Sequence, residues 1–292
     1  MSRTRPVNTS AASATFVDRR VDGRDGAISI RDYLPVAVDS SARPFLWVHG
    51  GGFQSGGLDQ PESHATALAL ASKGRWVRTV DYRLAPRRWP WSKVELTVRP
   101  GRYPAALHDV VDAALDLTRV TGAITIGGAS AGACLAAGAV LYLRDHQEQL
   151  PLGAVLAYGT YHAELPANPA LELELHGIGR LFFRSRMVRN MNLNYVGDSQ
   201  LLLPGYAFPG GADLTGFPHT LLVDAMNDRL RASGQAFAAE LSDAGVDTSH
   251  HVLPRSMHAF LSSPRSDHFA TAVTMISDWL ADTDSRQSSH PA

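Results

Sequence analysis

The chain has 292 residues, 45% of them hydrophobic and 19% charged, which excludes disorder as its dominant state and suffices for one large core. Its 27 Lys and Arg against 28 Asp and Glu leave a formal charge of -1, so no bulk field draws it to nucleic acid or to an anionic membrane. A single cysteine, Cys134, excludes an internal disulfide and fits a reducing compartment.

Residues 1–24 are polar and rich in small side chains and read as a tail or a contribution to a cap. They hold no apolar core of signal-peptide length, and no later stretch approaches the roughly 18 apolar residues of a membrane helix. A cytoplasmic protein, mature from Met1 and without membrane contact, is expected. Ala27 to Leu34 alternates as a strand does, and Pro44 to Val48 is a compact apolar run that stops at His49 and three glycines. Pro61 to Ser72 has helical spacing, Trp76 to Tyr82 returns to strand, and Pro104 to Leu117 is a helix with proline in its first turn. Ala123 to Ile126 is a strand running into Gly127 and Gly128, followed by a small-residue helix from Ala131 to Asp145. Three more strands are expected at Gly153 to Tyr158, His219 to Val223 and Asp247 to Leu253, with helices at Leu230 to Ala244 and Phe269 to Asp282.

Such alternation predicts an α/β fold with a mainly parallel sheet covered on both faces, its site at the carboxyl ends of the strands. The division expected is a core of residues 25–160 and 204–282, a helical cap of 161–203, and a C-terminal tail of 283–292. The cap rests on Leu171 to Val196, a helical and partly apolar pattern in a segment without a good strand.

The chemistry begins at Gly128-Ala129-Ser130-Ala131-Gly132, a GxSxG pattern between a strand and a helix. A sharp strand-to-helix turn strains the serine backbone, and side chains in place of the flanking glycines would clash. Upstream, His49-Gly50-Gly51-Gly52-Phe53 ends a strand, and its glycines let backbone amides face a position where an ester carbonyl oxygen becomes an oxyanion. A phosphate-cradling loop would require a following Lys or GxGxxG spacing, and neither is present.

With Asp81-Tyr82-Arg83-Leu84-Ala85-Pro86, Asp228 followed by Leu230-Arg231, and His258-Ala259-Phe260, these motifs resemble the hormone-sensitive-lipase-like branch of the α/β-hydrolase fold. The resemblance spans about Pro44 to Leu280. It implies a carboxylesterase for short- to medium-chain esters that needs neither metal nor organic cofactor. By position, Ser130 is the nucleophile, Asp228 the acid and His258 the base. Gly51, Gly52 and Ala131 supply oxyanion amides, and His49 and Gly50 support that loop. Asp81 and Arg83 are expected to tie their strand end to the His49 loop.

Four departures stand out: Asp228-Arg229-Leu230 for Asp-Pro-Leu, His258-Ala259-Phe260 for His-Gly-Phe, Ala129 for Asp or Thr, and about a dozen extra residues within 87–102. Asp224 competes as the acid. His250 and His251 compete as the base, but they lie in a strand and point to opposite faces, which also argues against a zinc site. Cys134 reads as an inert buried thiol, and Trp89 and Trp91 either line the site mouth or pin a loop. An amidase or formamidase using the same triad, or a ligand-binding protein that has lost catalysis, are the alternatives. The partner expected is a small ester, with a homo-oligomer possible.

Overall fold

Eight strands and seven α-helices make up the architecture of the computed structural model, which describes residues 14–37, 42–87 and 101–289. The strands are β1 (Thr15–Gly23), β2 (Gly26–Leu34), β3 (Phe45–Val48), β4 (Val77–Asp81), β5 (Thr125–Ala129), β6 (Ala154–Ala157), β7 (Thr220–Asn227) and β8 (Thr248–Met257). The helices are α1 (Pro61–Ser72), α2 (Ala105–Thr121), α3 (Ala131–Asp145), α4 (Pro169–Glu174), α5 (Ser185–Val196), α6 (Arg231–Asp243) and α7 (Asp267–Ser289). One sheet runs in the order β1-β2-β4-β3-β5-β6-β7-β8, parallel from β4 to β8, with β2 antiparallel to both β4 and β1.

The central strands β3 (Phe-Leu-Trp-Val) and β6 (Ala-Val-Leu-Ala) are apolar throughout because both faces are covered. In β3, Leu46 and Val48 pack towards α2, α3 and α6, while Phe45 and Trp47 pack towards α1 and α7. Period-two alternation therefore sorts one strand between two cores. Among the described residues no helix is long and apolar enough to cross a membrane.

Three differences from the expected elements follow from pairing and charge. Residues 15–23, read as part of a polar tail, form β1, an edge strand whose only buried residue is Val21. Its ladder with β2 is complete from Thr15↔Leu34 to Gly23↔Gly26, closed by a two-residue turn at Arg24 and Asp25. An edge strand facing water needs no apolar pattern. The helix α7 continues to Ser289, past the expected end at Asp282, because Thr283 and Asp284 are buried and Asp284 binds Arg75 at 2.6 Å. Strand β7 runs to Asn227 rather than Val223, its ladder with β8 continuing through Asp224↔Val252 and Ala225↔Leu253. Asp224 is thereby inside the sheet, and the loop beyond it carries Asp228. Residues 1–13, 38–41, 88–100 and 290–292 lie outside the described residues, and with them Trp89, Trp91 and most of the extra segment.

One buried charge cross-links the antiparallel end of the sheet to its helical cover. Arg78 on β4 donates to both oxygens of Asp32 on β2 (2.8 and 3.1 Å) and to Asp116 on α2 (2.6 Å), and Trp76 Nε1 also donates to Asp32. The Asp32 carboxylate has no solvent exposure. Arg78→Ala, which strands that anion, should lower unfolding stability by about 3–5 kcal/mol in urea titrations. Arg286→Ala, at an exposed pair with Asp247, should leave the midpoint nearly unchanged.

Candidate active site

The strand β5 ends at Ala129 and α3 begins at Ala131, so the backbone reverses over Ser130 alone. Ser130 has φ 54° and ψ -119°, a conformation disfavoured for any residue with a side chain. Glycine permits it. A Cβ on Gly132 would lie 2.2 Å from the Val48 carbonyl oxygen and 2.4 Å from that of His49, and one on Gly128 would lie 2.4 Å from the backbone of Gly132. The start of α3 therefore sits directly against the end of β3, with the serine hydroxyl at the positive end of the helix dipole.

Two further strand ends bring side chains to this hydroxyl. Ser130 Oγ donates to His258 Nε2 at 3.0 Å, and His258 Nδ1 donates to Asp228 Oδ2 at 2.6 Å. The other Asp228 oxygen accepts the Leu230 amide at 3.0 Å, which fixes the carboxylate plane. The imidazole is enclosed by Tyr158 (ring centroids 5.0 Å apart) and Phe183 (4.5 Å). Burial disfavours the imidazolium, but the adjoining Asp228 carboxylate outweighs it, and His258 titrates above the ordinary imidazole value. The arrangement can move a proton from the serine hydroxyl to an imidazole whose charge is already compensated.

The loop from His49 to Phe53 lies beside the serine, with a Cβ position on Gly50 only 3.0 Å from Ser130 Cβ. Gly51 (φ 112°), Gly52 (φ 60°) and Phe53 (φ 63°) turn it back on itself, closed by Gln54 and Ser55 amides donating to the Gly51 carbonyl. The Gly51, Gly52 and Ala131 amides donate to no group among the described residues. His49 Nδ1 donates to the Gly50 carbonyl at 2.7 Å, and its ring stacks on Tyr82 at 4.3 Å. Burial pushes its pKa down to about 4, so it is neutral and structural.

Three residues that hold this site escaped the sequence reading. Glu62, buried in the first turn of α1, accepts the Gly50 amide (2.7 Å), the Gln60 side-chain amide (3.0 Å) and the Tyr158 hydroxyl (2.7 Å). One carboxylate thus ties the glycine loop to the ring behind His258. Its only sequence signal is an acid in the first turn of the helix after that loop. Tyr82 donates to the His49 carbonyl at 3.0 Å, making the tie expected of its neighbours Asp81 and Arg83. Extended backbone sends Arg83 away from Tyr82, and it binds Asp109 on α2 and Asp25 in the β1–β2 turn instead; Asp81 is exposed at the strand end. Phe183 is the third, placed by a φ of 53°.

The rival candidates lie elsewhere. Asp224 is fully buried and accepts from His250 at 2.8 Å, its carboxyl pushed up by burial, while His251 is exposed on the other face of β8. Cys134 is buried, its thiol pushed up by burial and donating to the Ala207 carbonyl. A second serine–histidine–carboxylate chain, Ser233 to His162 (2.8 Å) to Glu240 (3.0 Å), has its serine wholly buried and already accepting the Tyr161 amide. It fastens the chain after β6 to α6.

The stretch from Leu171 to Val196 holds most of α4, a short 3₁₀ turn at Gly177–Arg180, and α5. Leu171, Leu175 and Val188 are buried, whereas Leu173 (82% exposed), Ile178, Leu181 and Phe182 face solvent. Met191 on α5 stands over Gly52, and Tyr195 stacks on Phe53 at 4.1 Å.

A mostly parallel sheet with a strained serine at the β5–α3 turn, and a carboxylate and a histidine after β7 and β8, defines the α/β-hydrolases. A family model described as alpha/beta hydrolase fold matches residues 45–262, and the chain belongs to the hormone-sensitive-lipase-like family of α/β-hydrolase carboxylesterases. It is 27% identical to an arylesterase of Saccharolobus solfataricus over 91% of this chain and 86% of the relative, and 28% identical to the carboxylesterase NlhH of Mycobacterium tuberculosis over 84% and 76%. Among solved structures, a hyperthermophilic esterase from Pyrobaculum calidifontis superposes with a TM-score of 0.77 at 28% identity, covering 91% of this chain and 82% of that one. Esterase LipW from Mycobacterium marinum gives 0.75 at 28%, covering 92% and 82%.

The Glu62 network makes a graded prediction. Glu62→Gln can still accept the Gly50 amide with its oxygen and donate to Tyr158 with its nitrogen, so ester turnover should stay within about tenfold of wild type. Glu62→Ala leaves buried donors unpaired and should cost on the order of 10²-fold in kcat, read from p-nitrophenyl butyrate hydrolysis, with a lower thermal midpoint.

Proposed function

We propose that this chain hydrolyses short- to medium-chain carboxylic esters through a Ser130–His258–Asp228 triad and an acyl-enzyme intermediate. The observation that carries the reading is the unbroken hydrogen-bond chain from the Ser130 hydroxyl through His258 to Asp228, beside a loop whose Gly51 and Gly52 amides donate to no group among the described residues. As Ser130 Oγ attacks the ester carbonyl carbon, its proton passes to His258 Nε2, and Asp228 stabilises the imidazolium without itself taking the proton. The carbonyl oxygen becomes an oxyanion, met by the amides of Gly51, Gly52 and Ala131 at the start of α3. Collapse of the tetrahedral intermediate expels the alkoxide, protonated by His258, and leaves Ser130 acylated. Water, deprotonated by the same histidine, then releases the acid.

The residues 161–203 serve as a cap in this reading. Met191 above Gly52 and Phe183 beside His258 support a site of limited depth, suited to small acyl groups. The relatives named as arylesterase and carboxylesterase support carboxylic esters as the substrate class.

In p-nitrophenyl ester assays Ser130→Ala should fold normally and lose about 10⁶-fold in kcat, and Asp228→Asn about 10⁴-fold, with Asp224→Asn far milder. The base must be neutral, so kcat/KM should rise with pH through a pKa above the ordinary imidazole value of about 6.5. Asp228→Asn removes the charge that raises it and should move that limb to lower pH. Normal turnover in folded Ser130→Ala would refute the mechanism.

A further inference from the structure

The segment between β6 and β7 is fastened to the very loop that carries Asp228, by the residues on either side of that acid. Asn227 Oδ1 accepts the His176 amide at 3.0 Å, and its Nδ2 donates to the His176 carbonyl at 3.1 Å. Arg229, only 8% exposed in its side chain, spreads over three acceptor groups. Its Nε and Nη2 take the two carboxylate oxygens of Glu172 at 2.6 and 2.9 Å, and its Nη1 donates to the carbonyls of Arg180 (3.2 Å) and Phe182 (2.7 Å).

The carbonyl gripped most closely belongs to the residue before Phe183. At φ 53° Phe183 occupies a left-handed conformation that is uphill for a bulky side chain and persists only where surrounding contacts over-determine it. Arg229 supplies such a contact, and the outcome is the Phe183 ring packed 4.5 Å from the His258 ring. Side chains at 228 and 229 thus divide the work: Asp228 faces the histidine directly, and Arg229 sets the wall beside it.

We infer that Arg229 is a positioning residue that holds Phe183 against His258, and that Phe183 so placed limits the length of ester that the site accepts. This rests on the esterase mechanism above. Glu172 is half exposed, so the fork is anchored at a surface carboxylate and is open to substitution without disturbing the core.

The test compares kcat/KM for p-nitrophenyl butyrate and octanoate in wild type, Arg229→Met, Arg229→Lys, Glu172→Gln, Phe183→Ala and the Arg229→Met/Phe183→Ala double variant. Phe183→Ala and Arg229→Met should each shift the butyrate-to-octanoate preference by about tenfold towards the longer ester. The double variant should be no further shifted than Phe183→Ala alone, because Arg229 acts through Phe183. Arg229→Lys, a point charge without the planar fork, should restore only part of the preference. Should Arg229→Met fail to fold, Glu172→Gln carries the test, with a smaller shift in the same direction. An unchanged preference in the folded Arg229 and Glu172 variants, or shifts that add in the double variant, would overturn the inference. Absence of ester turnover in wild type would instead remove the esterase reading on which it depends.

Discussion

The reversal of the backbone at Ser130 is the constraint around which the carboxyl edge of the sheet is built. A serine at φ 54° between a strand and a helix is stable only if the helix start lies close against the neighbouring strand, and Gly132 allows that approach to the ends of Val48 and His49. The small residues of α3 follow from the same demand, since Ala131, Ala133, Cys134, Ala136 and Ala137 are all buried between sheet and neighbours. Closeness also determines what surrounds the serine. The chain leaving β3 must turn at once, which it does through Gly51 and Gly52 with Gly50 against Ser130.

Buried charges then hold these loops in register. A nearly neutral chain has no net field to exploit, and its internal ions work in local pairs. Glu62 spans the glycine loop and Tyr158, Arg78 spans two strands and α2, and Arg229 spans the acid loop and the segment above it. Each satisfies several partners at once, which offsets the cost of its desolvation. His49 illustrates the opposite choice: fully buried and with no charged partner among the described residues, it is neutral, and it acts by stacking and by a hydrogen bond to the Gly50 carbonyl.

The parallel core and the serine turn were legible in the sequence because both depend on local signals. Apolar runs bounded by glycine mark β3 and β5, and Pro61 to Ser72 and Ala131 to Asp145 match α1 and α3 at both ends. The site's charged supports were not legible, because nothing local announces that Glu62 faces inward or that Tyr82 rather than Arg83 reaches His49. Strand β1 escaped because its stability comes from pairing with β2 along an edge, not from an apolar face. The end of β7 was misjudged because an acid, Asp224, can continue a strand when a histidine on the neighbouring strand pairs with it. Arg229 was visible as a departure from the family's proline, but its reach to Glu172 and Phe182 depends on how the 161–203 segment folds back.

The central claim is that Ser130, activated by His258, becomes covalently acylated. Its most direct test is mass spectrometry of the enzyme acid-quenched within the first turnovers of p-nitrophenyl butyrate. The account predicts a mass increase of one butyryl group per chain, carried by the peptide that contains Ser130 and absent from Ser130→Ala. A butyryl group found on another residue, or hydrolysis that proceeds with an unmodified Ser130 under conditions where deacylation is slowed, would contradict it.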